Sequence, residues 1–296
     1  MSKSLIRVVV ICSTVLFCSR AFPDNMIITT GNVKSSHIPK RVVSINLCTD
    51  ELAIQLAKPG QLQAVTFLVK DASSSVHWQA AKSFKSHNNS LEQIVSYQPD
   101  LILASQYTPV ALLSRLQQLG FRVYVLPIAQ SLKQVNANIM AVGRRLGNRE
   151  RAKQLVIQRQ KQINLIKMLL STENKLKVIV YLPGGLSHSG KGLTSQLIKM
   201  AGLQNMASAK GFAGWHSVSI EQLLYWNPDI LIVIQSYTQF RSMATELLNH
   251  PAIHYFRQQK RVVTIPVQWL SCGSPSSAKI LRALSNSRQQ YRRGHP

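Results

Sequence analysis

A glycine-rich segment with a lysine is the first stretch whose residue types could do chemistry. Residues 181–191 follow a β-branched run and are similar in composition to loops whose backbone amides and lysine hold phosphate oxygens. Gly185 and Gly190 with Lys191 satisfy the first part of the P-loop spacing. Gly192, however, stands where a Ser or Thr must bind magnesium. A nucleotide hydrolase is therefore not indicated, whereas anion binding by the amide of Gly185 or by Lys191 stays open.

Two histidines and two cysteines are the other candidates for reactive or metal-binding groups. His188 and His216 follow glycines in predicted loops, where an imidazole can contact iron, cobalt or zinc or simply be solvated. A Cys/His enzyme would use Cys48 or Cys272 as nucleophile and one histidine as base, but no spacing brings them together. We therefore expect no enzyme, no metal site of the protein's own and no cofactor.

The N-terminus predicts export. Lys3 and Arg7 precede an apolar run at 8–18, and Ser19-Arg20-Ala21 has the form that signal peptidase accepts. The run is shorter than the roughly 20 residues of a membrane-spanning helix, so an uncleaved anchor is the weaker alternative. Residues 1–21 are predicted to be a cleaved signal peptide, and the protein is expected in the periplasm.

Removal of this signal would leave Cys48 and Cys272 as an even pair in an oxidising compartment. A disulfide, two separate thiols and a thiolate that contacts a ligand are all compatible with the sequence, because spacing alone does not give the distance between them.

The chain is strongly basic, with a net charge of +24 that the loss of the signal reduces to about +21. This charge favours an anionic ligand or anionic lipid headgroups. Nucleic acid is not indicated, since the basic residues are scattered and no zinc-finger or ribonucleoprotein spacing occurs.

An internal repeat organises the chain. Residues 90–104 recur as residues 219–233, with Ser, Glu, Gln, Pro and Asp at matching positions. Each copy predicts a short helix with a serine cap, a Pro-Asp turn that contains Asp100 or Asp229, and a buried parallel strand. Further β-branched runs flank the copies at 41–45, 121–126, 177–182 and 261–267.

This alternation predicts an α/β fold built twice, as two Rossmann-like lobes with mainly parallel sheets. Residues 22–130 would form the first lobe and 173–296 the second. Residues 131–172 would join them as one long helix, or as two in line with a break at Gly147-Asn148. A ligand cleft is expected between the lobes, where the strand ends meet.

These motifs resemble the helical-backbone (class III) periplasmic binding proteins that carry cobalamin, ferric siderophores and haem. The resemblance spans residues 41–284 and rests on the paired repeat, the opening stretch 41–52, Gly214-Trp215 and Trp269 before Ser274-Pro275. It implies a monomeric component of an ABC importer that binds a metal chelate or corrinoid, and the basic charge favours an anionic chelate. A sensor or another non-transport binding protein is the alternative.

The resemblance also assigns roles to residues. By this resemblance, Trp215 would contact the ligand with its aromatic ring. Loops at the strand ends supply further candidates. Any of these side chains could instead pack in the fold. The remaining candidates for ligand binding are Trp269, Tyr107, Tyr237, His216, Gly185, His188, Asn46, Cys48 and Cys272. Glu92 and Glu221 match the glutamates that dock on the permease, although each could also stabilise the N-terminus of its helix.

Overall fold

The computed structural model describes residues 37–168, 175–235, 243–272 and 276–294. The predicted signal peptide lies outside them. The described chain contains two all-parallel sheets covered by helices, which confirms the predicted α/β fold. Within the described part, no helix combines the length and hydrophobicity needed to cross a bilayer.

The first lobe is built on a five-stranded parallel sheet with the order β3-β2-β1-β4-β5. Its elements are β1 (Val42–Ser44), α1 (Leu47–Leu56), β2 (Leu62–Thr66), α2 (Trp78–Ala81), β3 (Lys85–His87), α3 (Leu91–Ser96), β4 (Leu101–Ser105), α4 (Val110–Gln118) and β5 (Val123–Leu126). A 3₁₀ turn at Phe67–Lys70 follows β2. The chain then continues into α5 (Leu132–Arg145) and α6 (Arg149–Met168).

The second lobe contains a four-stranded parallel sheet with the order β11-β10-β6-β8 and an antiparallel hairpin of β7 and β9. Its elements are β6 (Leu176–Tyr181), β7 (Leu186–Ser189), α7 (Leu193–Met200), β8 (Leu203–Asn205), α8 (Met206–Ala209), β9 (Gly214–Ser217), α9 (Ile220–Trp226), β10 (Ile230–Gln235), α10 (Met243–Glu246), α11 (Pro251–Gln258), β11 (Val262–Pro266), α12 (Val267–Leu270) and α13 (Ser277–Gly294). Short 3₁₀ turns occur at Pro183–Gly185 and Leu247–Asn249.

Alternate residues of the central strands point to opposite faces of each sheet, and both faces are buried. Val42 and Val43 of β1 enter different core clusters, as do Ile179 and Val180 of β6. This explains why the strands read as continuous apolar runs rather than alternating ones.

The two repeat copies fold in the same way. Ser90 and Ser219 accept the backbone N–H of the third helical residue at 3.3 and 3.2 Å, which caps α3 and α9. Asp100 then accepts the N–H of Lys40 at 2.6 Å, and Asp229 accepts that of Lys177 at 2.6 Å. Each aspartate thus fixes the chain that enters the neighbouring parallel strand, consistent with a structural role at a turn.

The segment after β5 forms two helices, but they are not in line. The break falls at the predicted Gly147-Asn148, where Gly147 has a φ of +65°. Arg159 of α6 donates to the side chain of Asn136 in α5 at 2.5 Å, so α6 folds back along α5. The left-handed glycine permits this reversal, which apolar spacing alone does not reveal.

The helix α6 links the two hydrophobic cores. Ala152 and Leu155 near its start belong to a core cluster of the first lobe, whereas Ile163 and Ile166 belong to one of the second. Arg159 lies between these pairs, is 2% exposed, and also donates to the Ser277 hydroxyl at 3.1 Å. One continuous helix thus packs in both lobes.

A buried carboxyl group in the first turn of α1 gives the fold a pH dependence. Asp50 is fully buried, accepts hydrogen bonds from the backbone and hydroxyl of Thr66, and has its pKa raised to about 8, chiefly by desolvation. The folded protein binds the Asp50 proton more tightly than the unfolded chain does, and this difference stabilises the fold. The stabilisation is complete below pH 3.8, the pKa of the unfolded chain, and is lost as the pH rises to about 8.

We expect Asp50→Asn to flatten this dependence, since an amide cannot ionise. Urea unfolding at pH 5 and pH 9 should show a smaller loss of stability in the variant than in the wild type. Asp71→Asn is the matched control, because Asp71 is exposed. An equal loss of stability for Asp50→Asn and the wild type would contradict the burial argument.

Candidate ligand-binding cleft

A cavity of about 400 Å³ lies between the two lobes, within the usual size range of small-molecule sites. Residues at or just after the ends of β1, β4 and β5 line it from the first lobe. Residues at or after the ends of β6, β10 and β11 line it from the second. The carboxyl ends of both parallel sheets therefore meet at one site, as the topology predicts.

The first-lobe wall contains two of the predicted residues. Tyr107 follows β4, lines the cavity and is 70% exposed. Its backbone N–H donates to the Ser105 hydroxyl at 3.1 Å, which fixes the turn that carries it. Cys48 lies in the first turn of α1, after β1.

The hairpin of the second lobe brings Trp215 and His188 to the cavity. They are paired across β7 and β9, and their rings meet edge to face with centroids 4.9 Å apart. Trp215 is 63% exposed, so much of its ring remains available for contact. The predicted loops around both residues are thus paired antiparallel strands, with glycines of positive φ at 190 and 214 near their ends.

The end of the second sheet supplies Trp269 and Cys272. Trp269 lies in the short helix α12 rather than in a loop, and the Lys279 ammonium lies 5.9 Å from its ring centroid. Cys272 follows this helix and forms a disulfide with Cys48. The disulfide resolves the alternatives that the sequence left open, and neither sulfur is available as a free thiolate or nucleophile.

Three predicted residues do not reach the cavity. Asn46 caps α1 by accepting the Cys48 N–H at 3.0 Å. Gly185 is buried at a positive φ of +73°, and a Cβ there would lie 2.9 Å from the Val218 carbonyl oxygen. His216 lies next to Trp215 along β9 and so points to the opposite face, where it stacks on Phe212 at 4.9 Å. Tyr237 lies outside the described residues.

Several lining residues were not predicted, most of them because they are small or apolar. They are Ser105, residues 126–130, Asn138, Val180, Leu182, Gly192, Leu193, Thr194, Ile234, Val267, Leu270, Ser271 and Ile280. Their position in the chain, rather than their side-chain chemistry, could have identified them. Most of them lie at the carboxyl end of a predicted strand or in the turn that follows.

The cavity wall is almost uncharged. Among its described residues none is Asp, Glu, Lys or Arg. His188 is an imidazole whose pKa is lowered by burial and, less strongly, by His216. The wall therefore offers aromatic faces and neutral hydrogen-bonding groups. Groups of three or more His, Cys, Asp or Glu that could hold a metal ion are absent from the described chain.

Glu92 and Glu221 lie outside the cavity, in the first turns of α3 and α9. Both are exposed. The pKa of Glu221 is lowered, first by a hydrogen bond with the Ser219 side chain. The repeat thus places one exposed carboxylate at the same helical position in each lobe.

Two α/β lobes, joined by one helix and separated by a cleft whose described wall is aromatic and uncharged, define the class of two-lobed solute-binding proteins. The family model of periplasmic binding proteins matches residues 42–268, and the chain belongs to that family. This family consists of solute-binding proteins rather than enzymes. No curated protein sequence matches the chain.

Solved structures share the fold at low sequence identity. The vitamin B12-binding protein BtuF of Vibrio cholerae, the type of protein that the sequence motifs resemble most, is 18% identical, with a TM-score of 0.64 over 86% of this chain and 98% of its own. The haem-binding protein HutB of Vibrio cholerae is 21% identical, with a TM-score of 0.66 over 86% and 99%. CeuE of Helicobacter pylori with bound Ni(II) is 15% identical, with a TM-score of 0.65 over 88% and 87%.

Proposed function

We propose that this protein is the substrate-binding component of an ABC importer, which captures a metal chelate or corrinoid-like ligand in the periplasm. The observation that carries the proposal is the cavity between the lobes, which both lobes line with aromatic side chains: Tyr107 from the first, Trp215 and Trp269 from the second. Flat π-faces suit a macrocycle or a large chelate. The protein itself performs no chemistry on its cargo.

The composition of the wall narrows the ligand class. The net charge of +24 favours an anionic chelate, but none of the described lining residues is a lysine or arginine. Burying a carboxylate or phenolate against such a wall costs several kcal/mol unless a cation accompanies it. A ligand with little net charge and an amide-rich rim, such as a corrinoid, therefore suits this cavity better than a multiply charged chelate.

Neutral polar groups on the wall suit an amide-rich rim. Ser105, Gln130, Asn138 and Thr194 line the cavity and supply both donors and acceptors. His188 adds an imidazole whose lowered pKa favours the uncharged form near neutrality. Orientation of the ligand would then depend on these few hydrogen bonds, and affinity on the aromatic contacts.

Delivery to the membrane would use the outer surface of both lobes. Glu92 and Glu221 are exposed at equivalent positions, and the whole chain has only 11 acidic residues. A pair of equivalent carboxylates suits basic residues on a two-fold symmetric permease. Because α6 packs in both cores, we expect the lobes to move only slightly when ligand binds.

Tryptophan fluorescence tests the proposed site. Cyanocobalamin, haemin and ferric siderophores would be titrated into the chain from residue 22 onward. One of them should quench the fluorescence saturably, and Trp215→Ala should weaken its binding by about tenfold, or roughly 1.4 kcal/mol.

Trp78→Ala is the matched control, because Trp78 lies in α2 and is not part of the cavity wall. It should leave the affinity unchanged. Equal affinities in the Trp215 and Trp78 variants would place the ligand elsewhere. Absence of quenching by every ligand would contradict the proposed ligand class.

A further inference from the structure

The Cys48–Cys272 disulfide joins two elements that belong to different cores. Cys48 lies in α1, whose Leu52 and Leu56 are buried in the first lobe. Cys272 follows α12, whose Val267 and Trp269 pack against a core of the second lobe. The two Cα atoms are 4.9 Å apart, within the usual range for a disulfide, although 224 residues separate the cysteines in sequence.

This bond adds a second covalent connection between the lobes. The first is the chain itself, which reaches the second lobe through α5 and α6 and is held near the middle of α6 by Arg159. A body attached at one point can rotate about that hinge, whereas attachment at two separate points restricts the rotation. The disulfide should therefore limit how far the cleft opens.

The bond also lies within the cleft wall. Cys48 and Cys272 both line the cavity, and Trp269 precedes Cys272 by less than one helical turn. Leu270 and Ser271, which lie between Trp269 and Cys272, line the cavity as well. The segment that carries Trp269 is thus attached to the opposite lobe, at α1.

We propose that the Cys48–Cys272 disulfide is a positioning element, which limits opening of the cleft and holds Trp269 against the first lobe. A wall fixed in this way is preorganised, so a ligand loses less of its binding free energy in ordering it. Only this effect on ligand affinity rests on the proposed function. The restraint on the two lobes is independent of which ligand, if any, is bound.

Hydrogen exchange of the unliganded protein, followed by mass spectrometry, tests the restraint. The oxidised wild type would be compared with a Cys48→Ser, Cys272→Ser double variant, each as the chain from residue 22 onward. Peptides that cover 267–272 should exchange about tenfold faster in the variant, while peptides from the middle of α6 should be unchanged. Reduction of the wild type with a phosphine should give the same result.

The double variant treated with the same phosphine is the control and should show no further change. A Cys48→Ala, Cys272→Ala variant, with unchanged far-UV circular dichroism, replaces the serine variant if the latter does not fold. Equal exchange at 267–272 with and without the disulfide would overturn the proposal. So would two titratable thiols in the folded, unreduced protein.

Ligand affinity is measured separately with cyanocobalamin and haemin as probes. The double variant should bind the better of the two probes about threefold to tenfold more weakly than the oxidised wild type. If neither probe binds either protein, corrinoid and haem fail as cargo while the exchange result still decides the restraint. Faster exchange with unchanged affinity would overturn the positioning of Trp269.

Discussion

A Glu92→Arg, Glu221→Arg double variant is expected to bind ligand normally and to lose uptake. Both carboxylates are exposed and neither lines the cavity, so the affinity should stay within about twofold of the wild type. Replacing two negative charges by positive ones would set like charges against the basic permease surface that we propose, and uptake should then fall by at least about tenfold. The measurement is ligand uptake by cells whose only supply of this binding protein is the variant.

Glu150→Arg is the matched control. Glu150 is also an exposed glutamate in the first turn of a helix, α6, so its replacement has the same small effect on helix stability. It should leave uptake unchanged, and the single Glu92 and Glu221 variants should fall between the control and the double variant. Full uptake by the double variant would show that these glutamates do not dock, and would favour a sensor or another non-transport role.

Arg159→Ala is expected to destabilise the protein by about 2–4 kcal/mol. The guanidinium is buried where α5, α6 and α13 meet, and burial lowers its pKa to about 10. Truncation leaves a cavity between the two cores and removes the hydrogen bonds to Asn136 and Ser277. Equilibrium unfolding in urea at pH 7 measures the change.

Arg159→Met separates the loss of packing from the loss of charge. Methionine fills much of the same space, and the partners described for Arg159 are neutral groups rather than carboxylates. Both variants lack the charge and its hydrogen bonds, and only methionine refills the space, so the Met variant should be at least about 1 kcal/mol more stable than the Ala variant. Equal losses in both would show that the charge, rather than the packing, supports the junction.

The fold was predictable because the same sequence motif occurs in both lobes, at residues 90–104 and 219–233. The residue types that matter in the first copy, Ser90 as the cap and Asp100 at the turn, recur as Ser219 and Asp229 and make the same contacts. Buried parallel strands also have a distinct pattern, because both faces of the sheet are covered. Periodicity gave the break between α5 and α6, but not the direction in which α6 continues, which depends on the φ of Gly147.

The site was predictable only in part. Trp215 and Trp269 could be placed near the cleft because a large aromatic residue next to a strand end is conspicuous. His216 was misplaced, since its loop proved to be strand β9, in which adjacent residues face opposite sides. The absence of charged side chains from the described cavity wall could not be predicted from the sequence either, because a net charge of +24 does not show which surface the charges occupy.

Native mass spectrometry tests the central claim most directly. The protein would be incubated with an equimolar mixture of cyanocobalamin, haemin and ferric siderophores, and unbound ligand then removed. We predict a single complex with one ligand per chain, cyanocobalamin in preference to the charged chelates, and its loss in a Trp215→Ala, Trp269→Ala variant. Retention of a charged chelate instead would contradict the preference for a ligand with little net charge. Retention of nothing, or equal retention by the variant, would contradict the assigned cleft.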